Sequence, residues 1–274
     1  MEETVENIFN YPVVRVPLEE LLDAKKYESL PYTNFFTFVK TPEKNILIGI
    51  GSKKYNLLPC SELFSVIESK LANYHKFTKV YKQQDYCKFY VDYIFEGKDI
   101  QIGIGKEKLK PSIKITHSYN GYLKYNIYFG FYNDKYSTFL YGFTKIKTTS
   151  FKPTLENLDK IVEETIIYID EFLEENLEIS RDKYFQLTQS HPKDLETEIE
   201  EIAEVIAFPK KLTKNVVENV KEEIKAFNLF VTDWEIYNNF VKVLNNIENK
   251  IFEEKKISYD KDIYEVLINL NKPK

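Results

Sequence analysis

The chain has 274 residues, enough to bury a substantial core as one large domain or two, and its 43% hydrophobic and 15% aromatic content excludes a disordered chain. The net charge of -5 is unevenly placed: residues 70–150 hold 14 basic and 6 acidic side chains, residues 151–274 hold 17 and 27, so a basic middle precedes an acidic C-terminal part. Two cysteines, Cys60 and Cys87, exclude a disulfide framework or a four-cysteine zinc site, and no apolar run approaches the ~18 residues of a membrane helix.

Taken in order, Pro17 to Tyr27 predicts a short helix with proline in its first turn and lysines at its end. Phe35–Val39 and Asn45–Ile50 are β-prone runs joined by Thr41-Pro-Glu-Lys, which reads as a hairpin. Leu63, Ile67 and Leu71 recur at helical spacing after Pro59. Cys87, Phe89, Val91, Tyr93 and Phe95 then alternate with more polar residues, Glu96-Gly97 reads as a turn, and Ile100, Ile102 and Ile104 return as a strand.

Pro111 to Tyr132 predicts the central hairpin. Ile113, Ile115 and His117 alternate with Lys114, Thr116 and Ser118, while Leu123, Tyr125, Ile127 and Phe129 alternate with Tyr122, Lys124, Asn126 and Tyr128. A two-residue Asn120-Gly121 turn would pair Ile115 with Asn126 and mix the faces. A three-residue loop, Tyr119–Gly121, pairs Ser118 with Tyr122 and keeps both faces consistent, with glycine in the left-handed position. His117 then points inward. Tyr136 to Ile146 predicts one more strand.

From Pro153 the period changes. Leu155, Leu158, Val162, Ile166, Ile169 and Leu173 mark a long amphipathic helix, and further helices are expected near 192–207, 212–229, 233–254 and 260–270. Thr232-Asp-Trp-Glu235 is a capping-box pattern. The expected fold is α+β: a mainly antiparallel sheet with a few helices over residues 1–150, followed by an acidic all-helical part, 151–274, packed on or next to it.

The chemistry-bearing motifs are sparse. Gly49-Ile-Gly51-Ser-Lys53 follows a strand but lacks the spacing of a phosphate-binding loop. His75, His117 and His191 stand alone, and the paired glutamates fall on solvated helix faces, so no catalytic, metal or cofactor site is expected. The polar face of the hairpin carries more information. Lys114, Tyr122, Lys124 and Tyr128 share it, Tyr132 continues the row, and Lys88 lies on a nearby strand. Lysines with exposed rings on a sheet suit single-stranded nucleic acid, since rings stack on bases and lysines neutralise phosphates. The same tyrosines also suit packing beneath a helix or at a subunit contact.

Three short motifs resemble the phage/plasmid-like protein family of unknown function classed as domain of unknown function 932. They are Tyr55-Asn-Leu-Leu-Pro-Cys-Ser-Glu62-Leu-Phe64, the turn Ser118-Tyr-Asn-Gly121 and Thr232-Asp-Trp234-Glu-Ile-Tyr-Asn238. The family's Arg-x-x-Cys-x-Asn segment is replaced by Phe131-Tyr-Asn-Asp-Lys-Tyr136, so the chain resembles a diverged member. The resemblance implies a phage setting and no established activity. The expectation is a non-enzymatic nucleic-acid-binding protein acting in phage DNA replication, recombination or protection. The alternative is a virion-associated or host-factor-interacting protein. Self-association or a protein partner is expected, with no membrane, in the host cytoplasm or on the virion.

Overall fold

The computed structural model describes residues 11–17, 34–52, 56–84, 86–102, 107–120, 123–142, 146–227, 230–247 and 253–270. The helix expected from Pro17 lies outside them except for Pro17 itself, which ends strand β1 (Val13–Pro17). Strand β2 (Asn34–Lys40) pairs antiparallel with β1 and with β3 (Asn45–Ser52), forming the expected hairpin. Its turn is closed by Thr41, whose Oγ1 donates to the Lys44 carbonyl at 2.9 Å and accepts from the Lys44 N–H at 3.1 Å. Gly49 and Gly51 pair with Thr37 and Phe35 within this sheet, which makes them strand residues rather than a phosphate-cradling loop.

Helix α1 (Cys60–Leu71) begins where expected, with Pro59 extended at its N-cap. It buries Cys60, Leu63, Phe64, Ile67 and Leu71, one stripe at three- and four-residue spacing. Glu62 in its first turn and Lys70 in its last complement the helix dipole.

A seven-stranded sheet follows: β4 (Phe77–Gln84), β5 (Lys88–Phe95), β6 (Ile100–Ile102), β7 (Glu107–Ser118), β8 (Asn126–Asn133), β9 (Thr138–Leu140) and β10 (Ile146–Thr148). The strand order is β10-β8-β7-β5-β4, with β6 on β7 and β9 on β8. Gly97, at φ +79°, makes the β5–β6 turn in a conformation that glycine adopts without a Cβ penalty. Every residue is buried from Phe89 to Phe95 in β5, from Pro111 to Ser118 in β7 and from Ile127 to Phe131 in β8. These strands are therefore covered on both faces, whereas their alternation suggested one covered face.

The helices are α2 (Leu158–Glu171), α3 (Leu177–Leu187), α4 (Leu195–Val205), α5 (Lys210–Phe227), α6 (Asp233–Asn245) and α7 (Glu253–Leu270). The long amphipathic helix marked by the positions from Leu155 to Leu173 continues through a π-helical turn, Phe172–Asn176, into α3. The capping box opens α6: Thr232 Oγ1 accepts from the Trp234 N–H, and Glu235 Oε2 accepts from the Thr232 N–H at 2.8 Å.

Two compact units share the chain. One comprises Met1–Tyr93, Ile113–Ile127 and Ile146–Asp170, and the other Ile94–Ser112, Tyr128–Lys145 and Glu171–Lys274. A single cut near Ser150 does not divide it, because the long strands β5, β7 and β8 contribute residues to both. In the first unit, Leu63 and Ile67 of α1, Val91 of β5, Ile115 of β7 and Ile161 of α2 form a core with no measurable exposure. In the second, Phe131, Tyr184, Tyr237, Phe240, Ile263 and Leu267 do the same.

The strand expected from Tyr136 to Ile146 is broken into β9 and β10, for a reason internal to the second unit. Past Leu140 the backbone amides serve side chains instead of a ladder. Tyr141 N–H donates to Asp260 Oδ2 at 2.7 Å, and Gly142 N–H lies 3.2 Å from Tyr184 Oη and 3.3 Å from Tyr237 Oη. A Cβ on Gly142 would come within 2.7 Å of Tyr237 Oη, so the close approach requires glycine.

Candidate nucleic-acid interface

The central hairpin forms from β7 and β8, but its connection is longer than the expected three-residue loop and runs from Tyr119 to Tyr125. Hydroxyls replace ladder bonds next to it. Ser118 Oγ donates to the Leu123 carbonyl at 2.9 Å and accepts from the Leu123 N–H at 3.0 Å. Thr116 Oγ1 donates to the Lys124 carbonyl at 2.9 Å and accepts from the Asn126 N–H at 3.3 Å. Local alternation could not show this, because side chains rather than main chain close the register.

His117 points inward, as expected. It is fully buried, with Nε2 at 3.2 Å from the Leu58 carbonyl. Burial lowers its pKa to about 4, with the Leu58 carbonyl opposing, so the ring is neutral at pH 7 and Nε2–H is the donor.

Five of the six residues expected to bind nucleic acid are described, and they differ in exposure. Lys114 is buried, its Nζ 2.9 Å from Asp92 Oδ2, with the two side chains 3% and 0% exposed. Tyr128 is also buried. Both were expected outside because the polar face of a strand usually meets water. Here both faces are covered, and alternation separates two buried sides. Tyr132 is half-buried and packs on Phe139 at 5.0 Å between ring centroids. Lys88 is half-buried at the start of β5, and Lys124 is exposed in the hairpin connection. Tyr122 lies outside the described residues.

A different stretch combines exposed lysines and tyrosines: residues 70–88, centred on β4. β4 ends the strand order, with no second neighbour among the described residues. Tyr74 is 77% exposed just before it and Tyr86 is 38% exposed just after it. Lys70, Lys76 and Lys79 are exposed, and Lys82 is half-buried. The inward side of β4 fixes the strip to α1. Phe77 packs edge-on against Tyr93, and Glu68 accepts from Lys79 Nζ at 2.7 Å, from Tyr93 Oη at 3.1 Å and from Tyr81 Oη. Burial and the Glu68 carboxylate push the Tyr81 phenol up to about 12, so it remains a donor. Burial pulls the Lys79 ammonium down, but Glu68 outweighs it and holds Lys79 above its ordinary value, so it stays charged. Phe-Thr-Lys-Val-Tyr-Lys-Gln-Gln gave no alternation to mark β4. The clustering of lysine and tyrosine was its available signal, and only Lys88 of the expected residues falls in it.

One other polar cluster is enclosed within the second unit. Tyr237 Oη donates to Asp260 Oδ1, Tyr184 Oη lies 3.3 Å from Tyr237 Oη, and Tyr264 packs on both rings. Burial raises Asp260 to about 7, with the Tyr237 hydroxyl and the Tyr141 amide opposing. Its four side chains are buried, which suits a structural role better than access to a substrate. Among the described residues no group of three or more His, Cys, Asp or Glu is placed to hold a metal ion, and no helix is long and apolar enough to cross a membrane.

No family model, curated protein or solved structure matches the chain. The phage/plasmid-like resemblance rests on its short motifs alone.

Proposed function

We propose that the protein binds single-stranded nucleic acid along β4 without chemical turnover. Lys76 and Lys82 meet the phosphates, and Tyr74 and Tyr86 offer rings to the bases. The observation that carries this reading is Tyr74, 77% exposed beside exposed lysines on a sheet edge. An aromatic ring held in water costs apolar exposure unless something stacks on it, and base stacking contributes about 1–3 kcal/mol per ring. The placement of this strip in the net-positive middle of an acidic chain also supports it, since positive charge is concentrated where phosphates would lie. The phage setting, and with it a role in DNA replication, recombination or protection, is supported by the motif resemblance only. A structural or host-factor-interacting protein is the second reading, favoured by the burial of Lys114 and Tyr128, which removes those two side chains from any ligand.

Fluorescence anisotropy with labelled oligothymidylate over a salt series tests the proposal. Wild type binds at low salt and weakens as salt rises. Lys76→Glu with Lys82→Glu makes the log–log slope shallower by about 1.4, at roughly 0.7 per phosphate contact on a single strand. Tyr74→Ala weakens binding about tenfold or more at every salt concentration. Absence of binding at low salt, or a double variant that binds like wild type, overturns the reading.

A further inference from the structure

Within the second unit a groove of about 820 Å³ opens between α4 and α5. Its walls differ in sign. Glu196, Glu200 and Glu204 line it from α4, while Lys210, Lys214 and Lys221 line it from α5, with Glu218 among them. The three glutamates recur every four residues and so form one stripe on α4. Positions 210, 214 and 221 lie four and seven apart, within three helical turns, and form one stripe on α5. The floor between them is apolar, with Ala203, Phe208 and Val217. At one end Lys221 Nζ pairs with Glu196 Oε1 across the groove.

We propose that this groove is a self-association surface, covered by α4 and α5 of a second copy of the chain around a twofold axis running along it. The two walls are complementary in charge. Rotation about that axis places the second copy's acidic α4 over the first copy's basic α5, and the converse on the other side. Heights along the helices are kept, so Glu204 of one copy faces Lys210 of the other and Glu196 faces Lys221. The surface is thus its own complement, which is the requirement for an isologous interface. A partner carrying one sign of charge would be attracted to one wall and repelled by the other. The two helix pairs form a four-helix contact. This proposal is independent of nucleic-acid binding at β4.

Sedimentation equilibrium of the full chain tests it with two charge-reversed variants. Glu200→Lys with Glu204→Lys makes both walls positive, and Lys210→Glu with Lys214→Glu makes both negative. All four positions are exposed, so the fold is retained, as checked by circular dichroism. Wild type dimerises over a concentration series, and each variant alone loses more than about tenfold in dimerisation constant through like-charge contact. An equimolar mixture of the two forms heterodimers, because every opposed wall is again of opposite sign. A monomeric wild type, a reversed variant that self-associates like wild type, or a mixture that stays monomeric would each overturn the proposal.

Discussion

Lys114 shows how far one side chain can depart from its local pattern. On an exposed strand face it would be a dispensable charge. Against Asp92, with both side chains essentially out of water, it is half of a pair whose partner cannot be left alone. Lys114→Met or Asp92→Asn is expected to destabilise the protein by about 3–5 kcal/mol in urea unfolding. Replacing both, as Lys114→Met with Asp92→Leu, recovers most of that loss, because no lone charge then remains buried. If the double variant is as unstable as the singles added together, the ion pair is not what holds this site. Lys114→Glu is for the same reason a folding variant and says nothing about ligand binding. Nothing local foretold the pairing, since Asp92 lies 22 residues away in the chain. The inward turn of His117 was legible, because it sits in step with Ile113 and Ile115.

Elements were read well where one periodicity ran uninterrupted. The two-residue alternation from Cys87 to Phe95 marked β5, and the helical spacing of Leu63, Ile67 and Leu71 marked α1. The capping box is the clearest local signal of all, since Thr232 and Glu235 carry the start of α6 by themselves. Thr232→Ala should cost about 1 kcal/mol. Trp234, the second residue of α6 and the only tryptophan, reports this directly in a fluorescence-monitored denaturation. An unchanged midpoint would mean that packing alone sets this helix end. Elements were misread where distant groups intervene. The break between β9 and β10 depends on Asp260, Tyr184 and Tyr237, which claim the amides of Tyr141 and Gly142. The continuation of α2 into α3 depends on a π-turn that shifts the buried stripe, so Leu173 looked like the end of a pattern that resumes at Ser180 and Tyr184. β4 was missed because one side of it meets α1 and the other meets water, which leaves few apolar positions to count.

At the scale of the whole molecule, two buried groups make pH act in opposite senses. His117 has its pKa lowered from 6.5 to about 4 in the fold, so the unfolded chain holds more protons between those values. Its contribution to stability is present above pH 6.5 and is lost as pH falls toward 4. Asp260 is raised from 3.8 to about 7, so the folded chain holds the extra proton. Its contribution is full below pH 3.8 and is lost as pH rises through 7. Each is worth on the order of 3–5 kcal/mol, at about 1.4 kcal/mol per pKa unit. The contributions of these two groups largely cancel between pH 4 and 6.5. Asp260→Asn should uncover the histidine. Wild type is then favoured over the variant by most near pH 4, and the gap narrows toward pH 7, as followed by Trp234 fluorescence in denaturant. A gap that widens with pH would mean that Asp260 is ionised in the fold. The position of β4 at the end of the sheet has a consequence of another kind, for solubility. An eight-residue edge carrying Val80 and Tyr81 is a template for another strand, and lysines there discourage the pairing. Neutralising Lys76, Lys79 and Lys82 to alanine is therefore expected to raise aggregation on heating, seen by light scattering, while glutamate at Lys76 and Lys82 keeps the edge charged and the protein dispersed.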